Sequence, residues 1–368
     1  MKKNIAIKVR IYPNKTQINK LNKNFGCVRY IHNQLLSIYE KTGKIVSYKE
    51  VYNDDNKWLK ESDTSSYSNE QLNLNKAIHN HYINPNHFRK PVYKSKHNNK
   101  QSYTTSVTNN NSRVIDNKHL KIPKVGILRA VIHRDIPNDY KLKSVTISKD
   151  IDGSYYASLL YEYNEILEEN QTSKLLTRMI GIDYSMNHFG VLSNGIVLDY
   201  PKFLLKNLDK LKEAQRKLSK CKIDSNNYKK RKQDLARLHV KIKNQRKDWL
   251  NKCIYSFVKN YDTVVIEDLD LKEMSSKNHF GKKISDNSFG TFIIKLKSKL
   301  EQASKKLIKV NKYYPSSKRC SKCGNILDIL ELSQRTYSCS CGNVMDRDYN
   351  AAINIVLEAF RIENELSI

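Results

Sequence analysis

Four cysteines close to the C-terminus restrict this chain more than any other feature. Cys320 and Cys323 are two residues apart, Cys339 and Cys341 one, and fifteen residues lie between the pairs. Thiolates at that spacing predict one tetrahedral zinc held by a small ribbon. Four protein ligands leave no open position, so the centre is expected to be structural. The single-residue gap in the second pair tightens that knuckle. Two disulfides would use the same residues. However, Cys27, Cys221 and Cys253 stand alone, and seven cysteines in 368 residues do not make a secreted disulfide scaffold. The pattern points to a reducing cytosol.

Charge narrows the partners. The chain carries 66 Lys plus Arg against 37 Asp plus Glu, a net +29. An excess of that size condenses on polyphosphate, with binding that weakens steeply in salt. A merely soluble basic protein and a membrane-surface binder are the blander alternatives. No apolar run is long enough to span a bilayer, and no signal-like segment opens the chain, so no membrane is expected. The 23 tyrosines could stack on bases or bond phosphates, although most are expected to pack.

Periodicity divides the chain. Ile5, Ile7, Val9 and Ile11 share one face of a strand that Pro13 ends. Ile18, Leu21, Phe25, Val28, Ile31 and Leu35 then follow a helical spacing, and a second helix is expected over Ser68–Ile83. Pro85–Gln101 reads as a basic loop, either a solvated linker or a nucleic-acid contact. Short β-prone runs fill Ser102–Tyr163, with Asp152-Gly153 as a hairpin turn, which suggests a small barrel or sandwich that the first strand joins. Glu165–Lys174 is a polar boundary. Beyond it come strands at Met179–Asp183, Phe189–Leu192 and Ile196–Asp199, and a helical region over Lys202–Lys259. That region holds 19 Lys/Arg against 5 Asp/Glu, which favours a phosphate-tracking surface over a solvated face. Leu204, Leu208, Leu211, Leu218, Leu235, Leu238 and Ile242 would supply its buried stripe. A buried strand at Thr263–Ile266, a helix over Phe289–Lys305, a strand at Leu307–Val310 and a last helix over Asp348–Phe360 complete the pattern. His32 and His239 fall inside helical patterns and are expected to be structural.

Three acids stand where such elements end. Asp183 closes one apolar strand, Glu267 closes another, and Asp348 opens the last helix, where the macrodipole favours negative charge. Active groups of open α/β sheets gather at strand ends. Clustered carboxylates resist ionising, and divalent cations relieve that repulsion. Two magnesium ions held there could activate water against a phosphodiester. Each acid alone is more simply a turn or cap residue, and Asp348 a helix cap; the order of the three suits a ribonuclease-H-like nuclease fold. Asp199, Asp268 and Asp346 are left as solvated loop charge.

The ordered motifs resemble the TnpB proteins of bacterial insertion sequences, compact relatives of type V CRISPR effector nucleases. The resemblance runs through Val9-Arg-Ile-Tyr-Pro-Asn14, Phe25-Gly-Cys-Val-Arg-Tyr-Ile-His-Asn33, Asn98-Asn-Lys-Gln-Ser-Tyr103 and Gly181-Ile-Asp183. It continues with Leu235-Ala-Arg-Leu-His239, Asn244-Gln-Arg-Lys-Asp248 and Val265-Ile-Glu-Asp-Leu269, and closes with Tyr314–Gly324 and Asp346–Ile355. It implies an α/β and β multidomain protein. A wedge β-barrel would take residues 1–13 and 101–170, with a helical recognition segment inserted over 14–100. A RuvC-like nuclease domain would take 174–311 and 347–368, with a zinc ribbon over 312–346. It implies catalytic Asp183, Glu267 and Asp348 on magnesium, and zinc on Cys320, Cys323, Cys339 and Cys341. It also implies a guide RNA from the transposon end and double-stranded DNA cut beside a short adjacent motif. Matching by position places Tyr48, Thr64, Ser68, Thr108 and Asn109 near that motif. A nuclease-dead RNA-guided repressor and a DNA-strand transferase are the competing functions; the presence of all three acids speaks against the first.

Overall fold

The computed structural model describes residues 2–97, 101–164, 178–276, 281–331 and 333–365. The boundary expected at Glu165–Lys174 lies outside the described residues, and so do residues 98–100 of one motif. The chain divides into two units, Met1–Glu168 and Glu169–Ile368.

In the first unit, β1 (Lys2–Tyr12) leads into α1 (Lys15–Thr42), α2 (Tyr48–Val51), a 3-10 segment (Asp54–Glu61) and α3 (Thr64–Ile83). Asn14 and Gln17 close a capping box at the start of α1, and the Asp63 side chain caps α3. Strands β2 (Gln101–Ser106), β3 (Arg113–Asp116), β4 (His119–Ile122), β5 (Gly126–Val131), β6 (Lys141–Lys149) and β7 (Tyr155–Asn164) follow. They join β1 in one antiparallel sheet of order β2-β6-β7-β1-β5-β4-β3. Strand β1 sits inside that sheet, paired with β7 and β5, so the helices α1 to α3 are an insertion between sheet strands. The alternation read in β1 is real: Ile7, Val9 and Ile11 are buried while Lys8 and Tyr12 face out. They share one core with Leu21, Phe25, Val28 and Ile31 of α1 and Tyr67 and Leu74 of α3. Gly153 adopts the left-handed turn (φ 83°) expected between β6 and β7.

His32 is structural, as expected: its Nδ1 lies 2.7 Å from Glu70 Oε1 in a buried pair. Lys94 also reaches Glu70, and Asn33 exchanges hydrogen bonds with the Lys94 backbone at 2.8 and 3.0 Å. The described part of the basic loop is therefore tied along α1 rather than left as a free linker.

The second unit holds β8 (Met179–Tyr184), β9 (Gly190–Leu192), β10 (Val197–Leu198), α4 (Phe203–Lys206), α5 (Leu208–Ser219) and α6 (Asn226–Asn260). Then come β11 (Thr263–Glu267), α7 (Leu271–Ser276), α8 (Gly281–Asn287), α9 (Phe289–Gln302) and β12 (Lys306–Val310). The antiparallel pair β13 (Thr336–Ser338) and β14 (Val344–Asp346) runs directly into α10 (Arg347–Glu365). Strand order is β10-β9-β8-β11-β12, with β8, β11 and β12 parallel. One sheet face carries Ile180, Ile182, Val264 and Ile266 against Phe257 of α6 and Phe289 and Phe292 of α9. The other carries Val265 and Val310 against Ile355 and Ala359 of α10. Burial on both faces is why Thr263–Ile266 reads as an unbroken apolar run.

The helical region expected over Lys202–Lys259 is three helices, broken before α6 where Asp224 turns left-handed (φ 64°). Its leucine stripe is thinner than expected. Leu211 and Ile242 are buried, Leu204, Leu218, Leu235 and Leu238 only partly, and Leu208 is exposed, as is His239. Two helices packed side by side bury only the seam between them, so most of each surface stays in water. The segment after β11 is anchored by a cluster that no local pattern in the sequence marks. Arg246 Nη2 donates to buried Asp286 Oδ1 at 2.9 Å, and the Tyr200 hydroxyl donates to the Asp286 carbonyl at 2.9 Å. No described helix is long and apolar enough to cross a membrane.

Candidate active site and metal centre

Ile182 of β8 pairs in register with Ile266 of β11. The next residues along these parallel strands are Asp183 and Glu267, so the two carboxylates leave the same sheet face at neighbouring positions. Gly181 and Asp183 share that face, and so do Val265 and Glu267. Helix α10 lies across it. A Cβ built on Gly181 would sit 2.4 Å from the Ala352 carbonyl oxygen and 2.8 Å from Val356 Cγ2. Only glycine permits that approach. One turn before Ala352 on the same helical face is Asp348, which the packing carries toward Asp183. The sequence separation of the acids is thus closed by strand register and one helix–sheet contact.

The electrostatics agree with that placement. Asp183 is pushed well above the usual carboxylate range, first by burial and then by the charges of Glu267 and Asp348, with Arg347 opposing. Burial also raises Glu267, against a hydrogen bond from the Ser316 hydroxyl. Asp346 is not loose loop charge: its Oδ1 accepts from the Tyr349 N–H at 2.9 Å and caps α10. The capping role read as the simpler alternative for Asp348 therefore belongs to Asp346, and Asp348 lies in the first turn. Asp268 pairs with Lys309 at 2.7 Å, and Asp199 with His188 at 3.3 Å.

The four cysteine sulfurs all lie within 4.8 Å of one another, and among the described residues they are the one group of three or more His, Cys, Asp or Glu ligands that close. Asp183, Glu267 and Asp348 do not form such a group. Cys320 and Cys341 sulfurs are 3.7 Å apart, Cys323 and Cys339 3.6 Å. Bonds of ~2.3 Å to a tetrahedral zinc place sulfurs ~3.8 Å apart, whereas a disulfide needs ~2.05 Å. The set fits zinc despite its short second gap. Burial works to raise the Cys320 thiol, but the backbone N–H groups of Cys323 and Lys322 and the Asn343 amide bring it down to about 6. The Cys341 N–H likewise lowers Cys339. Both favour the thiolate a metal requires.

Sequence reasoning overlooked the link between the two centres. Asn350 and Asn354 of α10 are fully buried. Both donate to the Arg319 carbonyl, at 2.7 and 2.6 Å, just before Cys320. Two amides one turn apart on an otherwise apolar helix face were the signal that could have revealed them.

In the first unit, the segments carrying the five motif-reading candidates gather around α3. Tyr48 N–H donates to Gln71 Oε1 at 2.9 Å, and its ring lies 6.3 Å from Tyr67. Thr64 and Ser68 sit half-buried in the first turns of α3. Ser65 Oγ accepts from Ser106 N–H at 2.9 Å, and Asn69 Nδ2 donates to Ser106 Oγ at 3.0 Å. These bonds bring the end of β2 to α3, and exposed Thr108 and Asn109 follow directly, Asn109 left-handed (φ 49°).

Comparison with known proteins agrees with this architecture. Residues 158–278 match the IS605 OrfB family, described as "Probable transposase". Residues 289–355 match the "Cas12f1-like, TNB domain". Residues 1–44 match a "Helix-turn-helix domain" of the same OrfB group, although here they form β1 and α1. A protein of Streptomyces pristinaespiralis named "Putative RNA-guided DNA endonuclease" is 30% identical over 95% of this chain and 88% of its own. InsQ of Escherichia coli K12, similarly named, is 27% identical over 97% and 92%. A solved Cas12f1 complex with sgRNA and target DNA superposes with a TM-score of 0.56 at 14% identity, covering 96% of this chain and 98% of that one. The last likeness establishes a shared fold; the near-full-length relationship to the Streptomyces protein shows that the chain belongs to the TnpB family of IS605-type elements.

Proposed function

We propose that this protein is an RNA-guided, magnesium-dependent endonuclease that cuts double-stranded DNA beside a short adjacent motif. The observation that carries the reading is the Ile182–Ile266 register, which sets Asp183 and Glu267 at neighbouring positions, together with the effect of Asp348, in the first turn of α10, on Asp183. The second unit is read as a RuvC-like nuclease domain, with residues 312–346 as its zinc ribbon. The seven-stranded sheet is read as a wedge barrel whose insertion, 14–100, serves recognition. Tyr48, Thr64, Ser68, Thr108 and Asn109 would face the adjacent motif, while base pairing with the guide supplies most of the sequence discrimination.

The donor set suits a hard cation. Asp183, Glu267 and Asp348 offer only carboxylate oxygens, and the crowding of Glu267 and Asp348 that helps to raise Asp183 is a repulsion a divalent cation would relieve. Magnesium held there would supply Lewis acidity toward water and the scissile phosphate. The chain's own part is to hold the three carboxylates together, to keep the apolar sheet dry beneath them, and to track phosphates along the Lys- and Arg-rich surfaces of α5 and α6. The cysteine centre holds the ribbon and takes no part in bond breaking.

The test uses purified protein with its co-purified RNA and DNA matched to that RNA. Wild type should cut only with Mg²⁺ and RNA. Asp183→Ala, Glu267→Gln and Asp348→Ala should each abolish cutting while RNA-dependent DNA binding persists. Cutting retained in the Asp183 or Glu267 variants would refute the site, and RNA-independent cutting would refute the guided reading. Joined DNA ends would indicate strand transfer.

A further inference from the structure

The Glu267 carboxylate has one described hydrogen-bond donor, the Ser316 hydroxyl. Ser316 is 4% exposed and sits in the turn that leads from β12 to the first cysteine pair. Its carbonyl accepts from Asn354 Nδ2 at 2.8 Å. The same Nδ2 reaches the Arg319 carbonyl, which Asn350 Nδ2 also binds, and Asn350 Oδ1 accepts from the Ser321 N–H at 3.1 Å. Ser321 lies between Cys320 and Cys323. A continuous set of short contacts therefore runs from the cysteine centre, through two buried asparagines of α10, to the carboxylate of β11.

We infer that Ser316 is a positioning residue for Glu267, and that the zinc knuckle, acting through Asn350 and Asn354, holds Ser316 in place. The inference rests on the reading of Glu267 as a cation-holding carboxylate. Its physical basis is the freedom of a glutamate side chain. Three torsions separate its carboxylate from the strand, and a donor fixed on one oxygen restricts them and leaves the other oxygen to hold a cation. The donor must itself be rigid. Buried amides are costly unless bonded, so Asn350 and Asn354 lock the turn onto α10. That helix also carries Asp348, so the same element that sets one acid sets the support of another. The ribbon then has a local task at the active site, distinct from any contact with nucleic acid.

Mn²⁺ binding to the full-length, zinc-loaded protein, read from the paramagnetic signal of the free ion, tests this without requiring turnover. Ser316→Ala should weaken Mn²⁺ binding about 10-fold or more, while Ser316→Thr, which keeps the hydroxyl, should remain near wild type. Zinc content and melting temperature of Ser316→Ala should be unchanged. The half-saturating Mn²⁺ for cleavage with guide RNA should move in parallel. Wild-type Mn²⁺ binding in Ser316→Ala would overturn the inference, whether or not that variant melts earlier or loses zinc. Glu267→Gln separates the two claims. If it abolishes Mn²⁺ binding and Ser316→Ala does not weaken it, only the positioning role falls. If Glu267→Gln binds Mn²⁺ normally, the reading of the site falls too, and the inference with it.

Discussion

Replacing Asp183 by asparagine should stabilise the magnesium-free protein while destroying its activity. Asp183 and Glu267 follow register-paired residues on adjacent parallel strands. Such strands are ~4.8 Å apart, so their carboxylates repel with ~3 kcal/mol at an effective dielectric constant of ~20. Both side chains keep some contact with water, and screening reduces the figure to ~1–2 kcal/mol. Because burial and its neighbours raise Asp183, the folded state holds its proton to higher pH than the unfolded state does. Its favourable contribution is complete below the ordinary aspartate value and is lost as pH rises through the folded-state value. Asparagine cannot ionise, so the advantage of Asp183→Asn should be absent near pH 4 and should grow toward pH 8. For a unit of this size, ~1–2 kcal/mol corresponds to ~2–8 °C in melting temperature. Thermal melts at both pH values, in buffer free of magnesium but not stripped of zinc, read this directly. Millimolar Mg²⁺ should then stabilise the wild type and leave Asp183→Asn unmoved. An Asp183→Asn protein that melts at or below wild type at pH 8 would refute the argument from crowded charge.

Other substitutions probe separate links. Gly181→Ala places a methyl against the Ala352 carbonyl and should destabilise the second unit by ~1–3 kcal/mol in urea unfolding, with loss of cleavage as α10 lifts away. The protein should carry one equivalent of zinc by metal analysis, and Cys339→Ser should abolish it and lower the melting temperature; undiminished zinc would exclude the four-sulfur centre. Asp286→Ala leaves Arg246, 24% exposed, without its carboxylate and should cost ~2–4 kcal/mol by urea unfolding, since removing one member of a buried pair strands the other.

The legible parts of the fold were those with local causes. Alternation in β1, the Asp152-Gly153 turn and the unbroken run in β11 each reflect a short-range rule, and the structure contains all three. The cysteine spacing was legible for the same reason, because a knuckle is a local object. The α5–α6 stripe misled because leucines at helical spacing show which face could be buried, not whether anything arrives to cover it. The cluster of Tyr200, Arg246 and Asp286 had no local signature, since Tyr200 lies between β10 and α4, Arg246 on α6 and Asp286 on α8.

The acids show the division most clearly. Their identity and order along the chain, at the ends of two apolar strands and the start of a helix, are properties of the sequence. Their proximity, seen in the charges of Glu267 and Asp348 that raise Asp183, is not. It depends on Ile182 lying opposite Ile266, on Gly181 admitting the backbone of α10, and on Asp346 capping that helix so that Asp348 falls within its first turn. The contact between Ser316 and Glu267 is of the same kind. Register and helix docking are settled by burying whole faces against one another, an energy summed over many distant residues. A strand end therefore announces a candidate acid, and only the packed sheet decides which other acid stands beside it.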